Sequence, residues 1–196
     1  SFIWRRKMKI LICGVGSLGS RLAECLVPDL KGQHEIVILD RDKVEERNLN
    51  IQFFLPDQVG MSKVEALQYN LYKHFSREVG IKHMDVKEIE GQYDLIVDCL
   101  DNHDARQIVQ NLIHITNHIP LLHVGLSDKK TFEISWAKNY SVPTDLISGW
   151  DICEEEGMSS FVQLVSALTS QIIQHYLSTG EKKEFIGNTL TIREIK

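Results

Sequence analysis

A chain of 196 residues, 43% hydrophobic and 25% charged, carries enough apolar sequence for one domain-sized core. Its formal net charge of −5 is not the basic balance of a nucleic-acid surface, and no apolar run approaches the roughly 20 residues of a membrane-spanning helix. Cys13, Cys25, Cys99 and Cys153 form no C-x-x-C pair, which speaks against a zinc site or disulfide framework and for a reducing cytoplasm.

The first apolar run, Ile10 to Cys13, is shorter than the roughly 7–15 residues of a leader's apolar region and reads as a strand. "SLGSRLAECLV" then continues as an amphipathic helix, and "EIVILD" is a second strand ending in a carboxylate. "SKVEALQYNLYKHF" places Val64, Leu67, Leu71 and Phe75 on one helical stripe. "IKHMDVKE" reads as an edge strand, and the nearly continuous apolar "YDLIVDCL" as a strand buried on both faces. A helix over "DARQIVQNLIHIT" and a strand over "PLLHVGL" follow. "TFEISWA" alternates as an antiparallel strand would, residues 159–177 form the longest helix, and "TLTIREI" is a last strand. The irregular stretch between residues 139 and 157, with its acidic "DICEEEG", reads as a long loop.

Alternating strands and helices predict an α/β fold over residues 1–196: a single Rossmann-like, doubly wound, mostly parallel sheet with antiparallel strands added at the C-terminal side. Cys13, Cys25 and Cys99 fall in predicted core segments and are expected to pack as small hydrophobes.

Gly14, Gly16 and Gly19 satisfy G-x-G-x-x-G between the first strand and helix, where a tight turn and free N–H groups suit a phosphate. Asp40 ends the second strand, placed to bond a ribose hydroxyl. These features alone do not choose between NAD and ATP. The polar loop that follows does, because Asp42, Asn48, Asn50, Gln52 and Lys63 supply donors and a cation for a polyphosphate. Asp98, Asp101 and Asn102 lie where a central strand ends, and Mg²⁺ is commonly held by one or two carboxylates plus phosphate oxygens.

Five ordered blocks resemble the ubiquitin-activating enzyme superfamily in its compact ThiF and MoeB form. They are the glycine turn, "LDRDKVEERNLNIQF", "GMSKVEAL", "DLIVDCLDN" and "CEEEGM". The resemblance implies ATP, Mg²⁺ and a small ubiquitin-like or sulfur-carrier protein ending in Gly-Gly, whose C-terminal carboxylate attacks the α-phosphate. It implies that Gly14, Gly16 and Gly19 line the nucleotide, Asp40 takes the ribose, and Asp42 and Asn102 flank the site. On the same basis Asn48, Gln52 and Lys63 contact phosphates and Asp101 binds magnesium. It further implies a homodimer or heterodimer.

Two departures matter. Ile51 stands where the family carries an arginine, with Arg5, Arg6 and Arg47 as conceivable substitutes, and the paired zinc-ligand cysteines of many relatives are absent, so no structural zinc is expected. Cys153 matches the cysteine of relatives that form thioester or persulfide links, but Asp151, Glu154, Glu155 and Glu156 beside it favour an unreactive loop cysteine. His123 reads as a packed histidine. Ile51 also motivates an alternative, a catalytically impaired nucleotide-binding subunit. An NAD-dependent dehydrogenase is a further alternative that leaves Lys63 and the Asp101–Asn102 pair unexplained.

Overall fold

The computed structural model describes residues 6–116, 119–127, 129–138, 141–142, 152–153 and 155–195, with backbone only over 112–116. Arg5, Asp151, Glu154 and most of the predicted long loop lie outside the described residues. Among the described residues eight strands form one sheet in the order β3-β2-β1-β4-β5-β6-β7-β8. Strands β1 (Lys9–Cys13), β2 (Glu35–Asp40), β3 (Gly80–His83), β4 (Leu95–Asp98) and β5 (Leu121–Leu126) run parallel. Strands β6 (Thr131–Trp136), β7 (Glu184–Asn188) and β8 (Ile192–Ile195) add antiparallel. The Rossmann-like, mostly parallel architecture read from the sequence is therefore the architecture of the chain.

Period-two alternation sorts the side chains of the parallel strands onto two buried faces. Ile10, Ile12, Ile38 and Val97 pack on one face with α1 (Ser17–Leu30), α2 (Lys63–Phe75) and α4 (Met158–Thr179). Leu11, Val37 and Ile96 pack on the other with Val109 of α3 (His103–Thr116). The chain moves outward from β1 to β2 and β3, then returns to β4 on β1's far side, so the sheet's switch point lies between β1 and β4. The crevice beyond the carboxyl ends of those two strands is where such sheets take ligands. Among the described residues no helix is long and apolar enough to cross a membrane.

Four local details differ from the expectation. The edge strand predicted over "IKHMDVKE" pairs only over Gly80–His83, and Val86–Glu88 forms a 3-10 turn that the Asp85 side chain caps by accepting from Lys87 N–H. Helix α1 does not stop before Pro28 but runs to Leu30 and closes on left-handed Lys31, whose N–H reaches the Pro28 carbonyl at 3.3 Å. Proline's fixed φ is helical, and burial of Leu30 offsets the backbone hydrogen bond that Pro28 cannot donate. Strand β7 was not anticipated: "EFIGN" is short and interrupted by Gly187, and only pairing between β6 and β8 makes it a strand. Cys13 and Cys99 are buried as expected, but Cys25 is only half-buried.

Candidate functional site

The glycine turn is shaped by contacts that leave no room for side chains at two of its three positions. Gly14 has φ +82°, and a Cβ there would sit 3.1 Å from Leu100 Cδ2 and 3.2 Å from the Cys99 carbonyl oxygen. A Cβ on Gly19 would lie 1.9 Å from the Gly14 carbonyl oxygen, so this residue lets α1 press directly on the turn. Gly16 differs, since the nearest atom to a Cβ there is Gln52 Nε2 at 4.0 Å. Helix α1 starts just after Gly16 with no side-chain cap and no acidic residue in its first turn. The first N–H groups of a helix have no partner within it, and such a start suits an anion.

Asp40 closes one side of the turn. It is 8% exposed, and its oxygens accept from the Val15 and Asp42 N–H groups, both at 2.8 Å. Burial pushes its carboxyl above the ordinary value of 3.8, while the Lys63 charge and those two N–H groups pull the other way. Each oxygen keeps a second acceptor site for a ligand hydroxyl. Because the folded-state value is raised, the ionised carboxylate costs stability at neutral pH, and that cost is relieved as pH falls toward the unfolded value. Urea unfolding of the parent and Asp40→Asn from pH about 7 to about 4 should therefore show the parent gaining on the variant in acid. A gap that stays constant would mean that burial of this charge is not being felt.

Lys63 is brought to Asp40 by a short backbone pairing between the loops on either side of residues 46–58. Val44 N–H donates to Met61 O at 2.9 Å, Gly60 N–H to Val44 O at 2.9 Å and Lys63 N–H to Asp42 O at 3.0 Å. The lysine is 8% exposed, with Nζ 3.9 Å from Asp42 Oδ2. Residues 46–58 are pinned to α2 by a network that the sequence reading missed. Gln58 Nε2 donates to Asn70 Oδ1 at 2.6 Å, while Asn70 Nδ2 donates to Gln58 Oε1 at 3.0 Å and to the Phe53 carbonyl at 2.8 Å. The available signal was Asn70 itself, a polar residue beside the apolar Leu67–Leu71 stripe.

This framework fixes a second cluster. Asn48 and Gln52 are each 4% exposed, and Gln52 N–H donates to Asn48 O at 2.8 Å. Their amide nitrogens approach Cys153 Sγ at 3.7 and 3.4 Å, and Ser17 Oγ lies 3.8 Å from the same sulfur. Cys153 therefore sits against the first residue of α1. Among the described residues, Gln52 Oε1 and Ser62 Oγ are buried without a hydrogen-bond partner.

Past β4 the carboxylates separate in role. Asp98 is 1% exposed, accepts from Leu100 N–H at 3.0 Å and pairs with His123 Nδ1 at 2.9 Å, so His123 is packed as expected. Asp101 is exposed. Asn102 Oδ1 caps α3 by accepting from Ala105 N–H at 2.9 Å, and its Nδ2 lies 3.5 Å from Asp101 Oδ1. Because Gly14 touches Cys99 and Leu100, Asp101 stands on the lip next to the glycine turn.

Ile51 is 3% exposed and packs in the core with α1, so its side chain is not a truncated site residue. Arg6 pairs with Asp94 and Arg47 with Glu45, while Arg21 Nε donates to the carbonyl of Ile51 itself at 2.9 Å. Beside the site lies a cleft of about 570 Å³ lined by Arg106, His123, Glu133, Ile186 and Arg193. Arg106 Nε donates to Leu100 O at 2.7 Å, so the cleft adjoins the lip that carries Asp101.

The residues present suit a magnesium-loaded nucleoside triphosphate: a helix start without a side-chain cap, a Gly16 whose missing side chain would meet only the Gln52 amide at 4.0 Å, a buried lysine and unpartnered acceptors. Among the described residues no three His, Cys, Asp or Glu side chains cluster as a protein-only metal cage. Magnesium does not require one, since it shares carboxylates with phosphate oxygens.

Comparison with known proteins agrees with this geometry. The ThiF family model matches residues 5–193. Ubiquitin-like modifier-activating enzyme 5 of Caenorhabditis elegans is 34% identical over 216 residues, covering 93% of this chain and 51% of that protein. SUMO-activating enzyme subunit 2 of Dictyostelium discoideum is 36% identical over 126 residues, covering 60% of this chain and 18% of that protein. The chain thus spans about half the length of the first of these relatives and less of the second. In fold it is similar to E. coli MccB crystallised with SeMet MccA, with a TM-score of 0.76 at 16% identity, covering 98% of this chain and 64% of that one.

Proposed function

The chain belongs to the ThiF family, and on that premise we propose that it binds MgATP at the β1–β4 crevice and adenylates the C-terminal glycine of a small ubiquitin-like or sulfur-carrier protein. The observation that carries this reading is the start of α1 at Gly16 without a side-chain cap, flanked by the buried Asp40 and by the buried Lys63, whose Nζ is 3.9 Å from Asp42 Oδ2. The kinship with activating enzymes for ubiquitin-like proteins supports the substrate class, and MccB, of the same fold, has been crystallised with ATP.

Bound MgATP supplies an electrophilic α-phosphorus and pyrophosphate as leaving group. The chain's own work is positioning and charge neutralisation. The α1 N–H groups and Gly16 seat phosphate oxygens, Asp40 orients the ribose, and Lys63 faces the phosphates with Asp42 beside it. The Asn48 and Gln52 amides donate to the same phosphates. Asp101 provides the magnesium carboxylate, with Asn102 holding the loop by capping α3. The cleft between Arg106 and Arg193 receives the extended Gly-Gly tail and leads its carboxylate to the Asp101 lip.

Calorimetry with MgATP and with NAD separates this reading from hydride transfer, since tight NAD binding without MgATP uptake would overturn it. Pyrophosphate exchange into ATP, measured with small proteins ending in Gly-Gly, tests turnover. The buried Ile51 and the engaged Arg21 favour a second reading, in which this chain is the nucleotide-binding half of a heterodimer. It predicts MgATP binding with exchange only when a related subunit is added.

A further inference from the structure

Strands β6 to β8 extend the sheet away from the nucleotide site, and their registers build a row of four different side chains. Gly125 of β5 stands opposite Glu133 of β6, Glu133 opposite Ile186 of β7, and Ile186 opposite Arg193 of β8. All four line the cleft of about 570 Å³, while Val124 and Ile134, their chain neighbours, turn the other way into the core. Each position suits a different part of a chain laid across the strands. Gly125 leaves the backbone bare, since a Cβ there would come within 3.1 Å of His123 Nε2, and Asp98 holds that imidazole at 2.9 Å. Glu133 is steadied by the Ser135 hydroxyl, which donates to its Oε1 at 2.7 Å, and its carboxylate keeps lone pairs for backbone N–H groups. Ile186 is 43% exposed, a large aliphatic group inside a polar cleft. Arg193 is exposed, and among the described residues its guanidinium has no ion-pair or hydrogen-bond partner.

We propose that this row selects the tail of the small protein substrate, with an aliphatic side chain on Ile186 about four or five residues before its C-terminus and an acidic one on Arg193 about six before it. This inference rests on the proposed adenylation of that tail. The spacing follows from the sheet. Neighbouring strands lie about 4.8 Å apart, so a tail that ends on the Asp101 lip, after β4, covers about 19 Å to reach β8. An extended chain rising about 3.3 Å per residue needs about six residues for that distance and four or five to reach β7. The two terminal glycines then lie over β4 and β5, where Gly125 presents no side chain. Arg106, bonded to the lip through Leu100 O at 2.7 Å, offers its charge to the terminal carboxylate. Continuity with the lip and charge complementarity at Arg193 therefore favour one occupant, an acidic tail. A basic side chain at the same place meets like charge instead.

The test uses the full chain, saturating MgATP and two fluorescein-labelled decapeptides, one ending Glu-Ala-Leu-Ala-Gly-Gly and the other Lys-Ala-Leu-Ala-Gly-Gly. Fluorescence anisotropy at low ionic strength reads their affinities, and calorimetry reads MgATP binding separately. The parent is expected to bind the acidic peptide at least fivefold tighter than the basic one, which is ~1 kcal/mol, the scale of an exposed ion pair. Arg193→Glu is expected to invert that order. Its gain of affinity for the basic peptide is a result that loss of fold cannot imitate. Equal affinities in the parent, a preference that Arg193→Glu leaves as it was, or no binding of either peptide to the MgATP-loaded chain overturns the inference. The proposed function is judged apart from it, by MgATP uptake and by pyrophosphate exchange with small proteins ending in Gly-Gly, and its failure there overturns both.

Discussion

Asp101→Ala is expected to lower pyrophosphate exchange by about 10²–10³-fold, the scale on which losing one electrostatic contact to a transition state is felt. The same change should leave the melting temperature within about 2 °C of the parent, because isolated surface substitutions usually stay within about 0.5 kcal/mol. The separation of the two effects follows from the surroundings. Asp101 is exposed, and its recorded contact is a long 3.5 Å approach from Asn102 Nδ2. No packed element depends on it. Asp98, three residues earlier, is the opposite case: it is buried on His123, and its truncation should damage the fold and say nothing clear about magnesium. Raising the magnesium concentration should partly rescue Asp101→Ala exchange if the carboxylate serves the metal. An exchange rate equal to the parent's would remove Asp101 from the site.

The contrast between these two aspartates also marks how far the sequence could be read. Both stand in "DCLDN" at the end of an apolar strand, and the nearly continuous apolar run predicted β4, though over 93–100 rather than the observed Leu95–Asp98. Which carboxylate faces solvent depends on His123 arriving from β5, a register that no local pattern encodes. Elements with strongly apolar sequence, such as β1, β2, β4 and α4, were legible because hydrophobic burial decides them. Strand β7 was not, since its partners rather than its residues make it a strand. Ile51 shows the same limit inside the site. Its sequence position announces a missing guanidinium, but the structure turns its side chain into the α1 core and has Arg21 bond its carbonyl. Cys153 shows the limit again: its acidic sequence neighbours argued for an unreactive loop cysteine, while its contacts were not legible, since only the fold of residues 46–58 brings Asn48 and Gln52 to its sulfur.

The glycines give the second large effect, and a control within the same motif. Gly19→Ala should cost about 3 kcal/mol or more, and therefore lower the melting temperature by roughly 6–12 °C, together with loss of nucleotide binding. The added methyl would overlap the Gly14 carbonyl oxygen at 1.9 Å, and backbone on both sides of that contact is fixed. Gly14 N–H is bonded to Leu39 O at 2.8 Å, and Ser20, next to Gly19, accepts from Phe53 N–H at 3.1 Å. Relief requires moving α1 away from β1, which opens the core that Leu22 and Leu26 fill. Gly16→Ala meets nothing closer than 4.0 Å and should fold with an almost unchanged melting temperature. Its methyl nevertheless stands where the backbone must approach a phosphate, so MgATP affinity should drop at least tenfold. Three glycines kept only for packing would give the reverse at position 16: a folded variant that binds MgATP as the parent does, measured by calorimetry beside its thermal unfolding. That result would shift the nucleotide off the α1 start, whereas a selective loss at Gly16 places the phosphates on the very N–H groups that the helix leaves uncapped.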